Sequence, residues 1–85
     1  MTITDVQVRK VEEAGRMKAI ASITFNDAFV VRDIRVIKGN EGYFLAMPSR
    51  KLSNGEFRDV AHPVNPQMRE KITEEVLKKF AALDF

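Results

Sequence analysis

The chain has 85 residues, of which 45% are hydrophobic and 31% charged, and it carries a formal net charge of +2 at pH 7. These values predict one folded domain spanning residues 1–85, and one histidine with no cysteine excludes disulfide bonds and the usual zinc clusters. No apolar run approaches the ~20 residues of a membrane span and no signal peptide is evident, so we expect a cytoplasmic protein without cofactor or membrane contact.

Five β-strands are predicted in the first two thirds of the chain, where β-branched and aromatic residues alternate with polar ones. These strands are Ile3–Val11, Met17–Phe25, Ala28–Ile37, Tyr43–Ser49 and Phe57–Ala61. The links between them are short, whereas parallel neighbours need a crossover of about a dozen residues or more. The sequence therefore predicts an antiparallel meander of about five strands.

Two of the links resemble two-residue hairpin turns. Asn54–Gly55 is a strong signal for a type I′ turn and Asn26–Asp27 a weaker one, because both central residues must tolerate positive φ. The second turn would place Phe25 opposite Ala28. One face of that hairpin would then be apolar, interrupted only by Arg32. Its apolar residues would be Met17, Ala19, Ala21, Ile23, Phe25, Val30, Ile34 and Val36.

One α-helix is predicted over residues 66–83, with Asn65 as N-cap and Pro66 as the first helical residue. Its opposite face should carry i,i+4 ion pairs within Glu74–Lys78 and Glu75–Lys79. The apolar stripe expected to face the sheet consists of Met68, Ile72, Val76, Phe80 and Leu83. The predicted fold class is therefore α+β, a β-meander followed by one C-terminal α-helix.

Self-association is expected from the dimensions of these elements. Five strands span roughly 24 Å, whereas one helix with its side chains is only ~10–12 Å across. The helix cannot cover such a sheet, and the sheet has two open edges. We therefore expect a homodimer, the commonest closed assembly.

The sequence offers little for catalysis. His62 is the only imidazole, and Ser49 and Ser53 are near it only in sequence, so the simpler interpretation is a histidine satisfied at a turn. No phosphate-binding loop or metal-ligand spacing is present. We expect a protein that is not an enzyme and has no small-molecule substrate.

Positive charge is concentrated between residues 16 and 58, which hold eight Lys or Arg against four Asp or Glu. With the turns above, Lys18 would lie opposite Arg35 and Lys51 opposite Arg58. Like charges directly across a strand pair are destabilising, so each pair requires an anion. Asp33 could supply it for the first pair.

For the second pair no acid is obvious, because Arg50 could engage Asp59 on the other face. A phosphate oxygen could then sit between Lys51 and Arg58. The alternative is two long side chains spread into water. Among the aromatic residues, Phe25, Phe57 and Phe80 are core candidates, and Tyr43 is the best candidate for stacking on a base.

Four blocks of the sequence, in this order, resemble the bacterial SpoVG family, the stage V sporulation protein G or septation regulators. The blocks are Gly15–Thr24, Phe29–Ile37, Phe44–Lys51 and Gly55–Pro63. The resemblance covers residues 3 to 80. It implies a small dimeric protein with an antiparallel sheet and a C-terminal helix, which binds DNA, and in some members RNA, as a regulator.

The resemblance also implies a contact surface. The basic residues Arg50, Lys51 and Arg58 match the family pattern, and Lys18 and Arg35 would assist them if they share that face. Family members vary at the start of the helix, where Arg69 and Lys71 could tune sequence preference. The other interpretation is a protein-interaction module of the division or sporulation machinery, which uses an open edge strand or leftover apolar surface without direct nucleic-acid binding.

Overall fold

The computed structural model describes residues 1–11 and 15–83. Strands β1 to β4 form an antiparallel sheet in chain order, and β5 and β6 form a separate two-stranded sheet, here called the ribbon. The elements are β1 (Ile3–Lys10), β2 (Met17–Phe25), β3 (Phe29–Gly39), β4 (Gly42–Ala46), β5 (Ser49–Lys51), β6 (Phe57–Asp59) and α1 (Pro66–Ala81). The predicted α+β class, with an antiparallel meander and a C-terminal helix, is confirmed. The prediction of one five-stranded sheet is wrong.

The predicted strand Tyr43–Ser49 is divided at Pro48. Strand β4 pairs with β3 only as far as Ala46, which is opposite Arg35. Proline has no N–H to donate to a strand ladder, so pairing with the main sheet stops there. Beyond this point the chain pairs with β6, and the Val60 N–H donates to the Pro48 carbonyl at 2.7 Å.

The link between β2 and β3 has three residues, because Phe25 pairs with Phe29. Asn26 and Asp27 adopt positive φ angles of 53° and 51°, as predicted. The predicted pairing of Phe25 with Ala28 in the ladder is wrong. The residue before β1 contacts the link, since the Asn26 N–H donates to the Thr2 carbonyl at 2.8 Å.

A β-bulge at Asp33 changes which residues of β3 face the core. Ile23 pairs with Val31 and Ala21 with Ile34, so β3 contains one residue more than β2 in this interval. Asp33 has φ of 63°, in the left-handed region. Val31 and Ile34 can therefore both face the core. The predicted core position of Val30 is wrong, since its side chain is 42% exposed.

Helix α1 contacts β1 and β4 through the predicted apolar stripe. Asn65 caps it, and its Oδ1 accepts a hydrogen bond from the Met68 N–H at 2.7 Å. The helix ends at Ala81, two residues before the predicted end. The core consists of Ala19, Ala21, Ile23, Phe25, Ile34, Val36, Leu45, Met47, Ile72, Val76 and Phe80. Among residues 1–11 and 15–83, none of the helical structure combines the length and apolar character of a membrane-spanning segment.

Substitutions at Asp33 should reveal the strain at the bulge. Glycine adopts positive φ freely, so Asp33→Gly should raise the free energy of unfolding by up to about 1 kcal/mol. Asp33→Val should lower it by about 1–2 kcal/mol, because a β-branched residue resists this conformation. The measurement is urea unfolding at one fixed protein concentration.

The matched control for this pair is Arg32→Gly. Arg32 is not among the described residues with positive φ. Glycine there should lower stability by about 0.5–1 kcal/mol, as it does within ordinary strands. Destabilisation of equal size by Asp33→Gly and Arg32→Gly would contradict the bulge as the source of strain.

Candidate functional site

The tip of the ribbon is a three-residue loop, Ser53–Gly55. The Leu52 N–H donates to the Glu56 carbonyl at 2.7 Å, and the Gly55 N–H donates to the Leu52 carbonyl at 3.0 Å. Gly55 has a φ of 89°, whereas Asn54 is not among the positive-φ residues. The predicted type I′ turn at Asn54–Gly55 is therefore wrong. The geometry is that of a turn followed by a left-handed glycine, a common alternative in hairpins.

The longer loop shifts the pairing of the two strands by one residue. Arg50 is directly opposite Arg58, and Lys51 is opposite Phe57. The predicted pairing of Lys51 with Arg58 is therefore wrong. Asp59 is opposite Ser49, so the predicted engagement of Arg50 by Asp59 is wrong as well.

The ribbon has two chemically different faces, because successive side chains of a strand point to opposite sides. One face carries Arg50 and Arg58. The other carries Lys51 and Phe57, with Ser49 and Asp59 nearer the main sheet. We refer to them as the arginine face and the phenylalanine face.

The three cations of the ribbon, Arg50, Lys51 and Arg58, are exposed. The only ion pair within 4.0 Å among the described residues is elsewhere, on the helix, so no described carboxylate neutralises the ribbon cations. Glu56 and Asp59 lie close in sequence but not within that distance. Directly opposed arginines repel each other, so the arginine face favours an external anion.

Phe57 is 71% exposed, so its predicted core position is wrong. Because the chain leaves the main sheet at Pro48, the ribbon is not covered by the helix. Reasoning from the sequence missed Phe57 as a site residue. Its immediate neighbours are the charged Glu56 and Arg58, and this pattern could have indicated an exposed strand.

Arg35 joins the main sheet to the ribbon. Its guanidinium Nη2 donates to the Met47 carbonyl and to the Ser49 Oγ, both at 3.3 Å, and the side chain is half-buried. Arg35 therefore holds the base of the ribbon. The predicted position of Lys18 opposite Arg35 is wrong, because the three-residue link and the bulge shift the register and place Ile20 there.

The other predicted contact residues belong to β2 and α1 and not to the ribbon. Lys18 shares a shallow depression with Arg16 and Lys38. Arg69 and Lys71 are exposed on helix α1.

The ion pairing on the helix differs from the prediction. The Lys71 Nζ lies 3.6 Å from the Glu75 Oε1. The predicted pairs within Glu74–Lys78 and Glu75–Lys79 are not formed. Glu75 instead engages the lysine one turn before it.

The ring of Tyr43 packs partly against the core. Its ring meets the ring of Phe80 edge to face, with centroids 5.0 Å apart and an interplanar angle of 62°. The side chain is 44% exposed, so one part of the ring remains accessible. Because Phe80 holds the ring, Tyr43 is less free to stack on a base than Phe57.

Neither a catalytic constellation nor a metal site appears in the part of the chain that the structure describes. The His62 Nδ1 lies 3.1 Å from the carbonyl oxygen of Pro63, a local contact at a turn. No group of three or more potential metal ligands occurs among residues 1–11 and 15–83.

An apolar groove of about 360 Å³ lies between the β2–β3 link, the segment after the ribbon and the start of α1. Its floor includes the buried Ile34 and Met47. Its rim is unusually exposed for apolar residues: Met1 is 77% exposed, and Phe29 and Val60 are each 66% exposed.

These features define a small α+β protein in which a four-stranded meander and one helix carry a projecting, cationic β-ribbon with an exposed aromatic ring. Comparison with known families matches residues 1–82 to the model of the SpoVG family. The chain belongs to the SpoVG family.

Three relatives show how close the match is. The chain is 56% identical over 80 residues to a protein of Agathobacter rectalis, covering 94% of this chain and 92% of that protein. It is 55% identical over 84 residues to a protein of Staphylococcus carnosus, and the match covers 99% of this chain and 78% of that protein. It is 52% identical over 83 residues to a protein of Caldicellulosiruptor saccharolyticus, and the match covers 98% of this chain and 94% of that protein. Each carries the name "Putative septation protein SpoVG".

Proposed function

We propose that this protein is a cytoplasmic, homodimeric regulator that binds DNA or RNA through the ribbon and affects septation or related cell-division programmes. The observation that carries the proposal is the pairing of Arg50 with Arg58, beside Lys51, with no carboxylate of the described chain within 4.0 Å. The relatives' name supports the link to septation. The protein acts by binding, without catalysis and without a cofactor.

The ribbon cations suit phosphate oxygens. Residues directly opposite in an antiparallel pair have their Cα atoms about 4.5–5.5 Å apart, so the two guanidinium groups can approach one anion. Arginine presents its donors in a planar fork that binds phosphate through two parallel hydrogen bonds. A phosphate on the arginine face would replace the repulsion between Arg50 and Arg58 by attraction to both.

A homodimer is supported by the apolar surface that the single chain leaves uncovered. Four strands span roughly 19 Å, whereas the helix is ~10–12 Å across. The exposed rim of the groove, with Met1, Phe29 and Val60, gives an apolar patch suited to a second copy. A two-fold dimer would present two ribbons.

If the protein is a homodimer, light scattering should give twice the mass of the chain.

The test is a salt titration of binding to duplex DNA and to single-stranded RNA of matched sequence. If the dimer neutralises about 4–6 phosphates, the logarithm of the association constant should fall against the logarithm of the salt concentration. The expected slope is about −4 to −5 on duplex and about −3 to −4 on a single strand. An affinity that stays constant from low to moderate salt would contradict phosphate contacts.

A second candidate function is favoured by the exposed rim of the groove and by Val64, which is 88% exposed. In this alternative the protein docks a partner of the division machinery on its apolar surface and does not touch nucleic acid. A stable complex that survives nuclease treatment, together with no binding in the salt titration, would favour it.

A further inference from the structure

Phe57 is the most exposed aromatic side chain among the residues that the structure describes. It is 71% exposed, compared with 66% for Phe29, 48% for Phe44 and 44% for Tyr43. The one aromatic pair found in the described chain joins Tyr43 to Phe80 and does not involve Phe57. One flat apolar surface is therefore presented to solvent in the ribbon pair next to the tip loop.

One cation lies beside this ring on its own face of the ribbon. Lys51 is directly opposite Phe57, whereas Asp59, the acid on that face, lies two residues further along β6. The lysine stem can run beside the ring while its ammonium group extends beyond it. This combination of a stacking surface and adjacent positive charge is how proteins hold single-stranded nucleic acid.

We infer that Phe57 stacks on an unpaired base, and that the ribbon therefore takes single-stranded DNA or RNA in preference to duplex. This inference rests on the proposed function and narrows its substrate class. A flexible single strand can supply both groups that the ribbon needs: a base for the phenylalanine face, and phosphates for Lys51 and the arginine face.

A duplex can offer a base to Phe57 only at a larger cost in free energy. Its bases are stacked on each other, and presenting the flat face of one of them requires a base step to be opened. The ring would otherwise lie against the sugar-phosphate backbone or in water. Arg50 and Arg58 can bind the phosphates of either form, so the preference for a single strand should reside in Phe57 alone.

The first experiment compares Phe57→Leu with the unchanged protein on a short single strand and on the same sequence as a duplex. Leucine keeps apolar bulk but removes the ring face. The affinity for the single strand should fall about ten-fold, whereas the affinity for the duplex should change less than two-fold. The matched control is Phe44→Leu, on β4, which should change neither affinity.

The second experiment uses Phe57→Trp as a fluorescent reporter, since the chain contains no tryptophan. Adding a thymidine single strand should quench its emission strongly, because an indole stacked on a base is quenched, and adding duplex should not. The same substitution at Phe44 provides the unquenched control.

The outcomes separate the inference from the proposed function. Equal losses on single strand and duplex with Phe57→Leu would overturn the inference and leave the proposed function standing. The inference would also be overturned if the emission of the Phe57→Trp reporter shifted when the protein concentration alone was raised, or when a partner protein was added. In either case the ring would be covered by protein. Salt-independent binding would reject the proposed function itself.

Discussion

Replacing both Arg50 and Arg58 with glutamine should lower the affinity for nucleic acid by about 10- to 100-fold at low salt, on every sequence tested. The two side chains are directly opposed on one face of the ribbon, and neither has a carboxylate of the described chain within 4.0 Å. Glutamine keeps a planar group with N–H donors but removes the positive charge. The loss should therefore measure the electrostatic attraction to phosphate.

Salt dependence identifies the cause of this loss. Each phosphate contact removed should make the slope of log affinity against log salt shallower by about 0.7 on a single strand and about 0.9 on duplex. The matched control is Arg32→Gln, an exposed arginine of β3 outside the ribbon, which should leave affinity and slope unchanged. A loss of affinity with an unchanged slope would contradict direct phosphate contact.

The same double variant should be at least as stable as the unchanged protein. Like charges directly opposite each other in a strand pair are destabilising, by roughly 0.2–1 kcal/mol. Removing the pair should therefore raise the free energy of unfolding slightly, while binding becomes weaker. This opposition would show that the two arginines are present for an external anion and not for the fold.

Phe80→Ala should have the largest effect on stability, lowering the free energy of unfolding by about 3–5 kcal/mol. Phe80 is 6% exposed and lies in the core cluster with Val76 and Ile72. The substitution opens a cavity and removes the ring contact with Tyr43 at 5.0 Å. Since the total free energy of unfolding of a small domain is about 5–15 kcal/mol, this substitution would remove much of it.

Urea unfolding at a fixed protein concentration measures this change, because self-association would otherwise alter the apparent stability. The matched control is Phe44→Ala, the same chemical change at a residue that is 48% exposed. Phe44→Ala should lower the free energy of unfolding far less than Phe80→Ala does. Equal losses from the two substitutions would contradict the position of Phe80 in the core.

The register of the ribbon could not be predicted from the turn sequence alone. Asn54–Gly55 fits a two-residue turn, yet the loop holds three residues, with the Asn54 Oδ1 accepting a hydrogen bond from the Glu56 N–H at 3.0 Å. Adding one residue to the loop changes every pair in the ladder. Arg58 therefore faces Arg50 and not Lys51. The cations predicted for the site remain on the ribbon, but in another arrangement.

The charged neighbours of Phe57, Glu56 and Arg58, pointed toward an exposed strand, but local reasoning could not decide its exposure. An aromatic residue on a strand is usually buried against a neighbouring layer. Whether a layer covers it depends on the path of the chain after Pro48, where pairing with the main sheet ends. The sequence shows the proline but not the direction in which the chain continues.

The sequence by itself determined the α+β class and the helix. Asn65 as cap, Pro66 at the first position and the stripe that includes Val76 act within a few residues of one another, so local chemistry was sufficient. Only the tertiary structure decided which strands share a sheet and which side chains meet across them. Those outcomes depend on contacts between distant segments, such as the Asn26 N–H with the Thr2 carbonyl, and on single extra residues such as Asp33. In a ladder of period two, one extra residue moves a side chain to the opposite face.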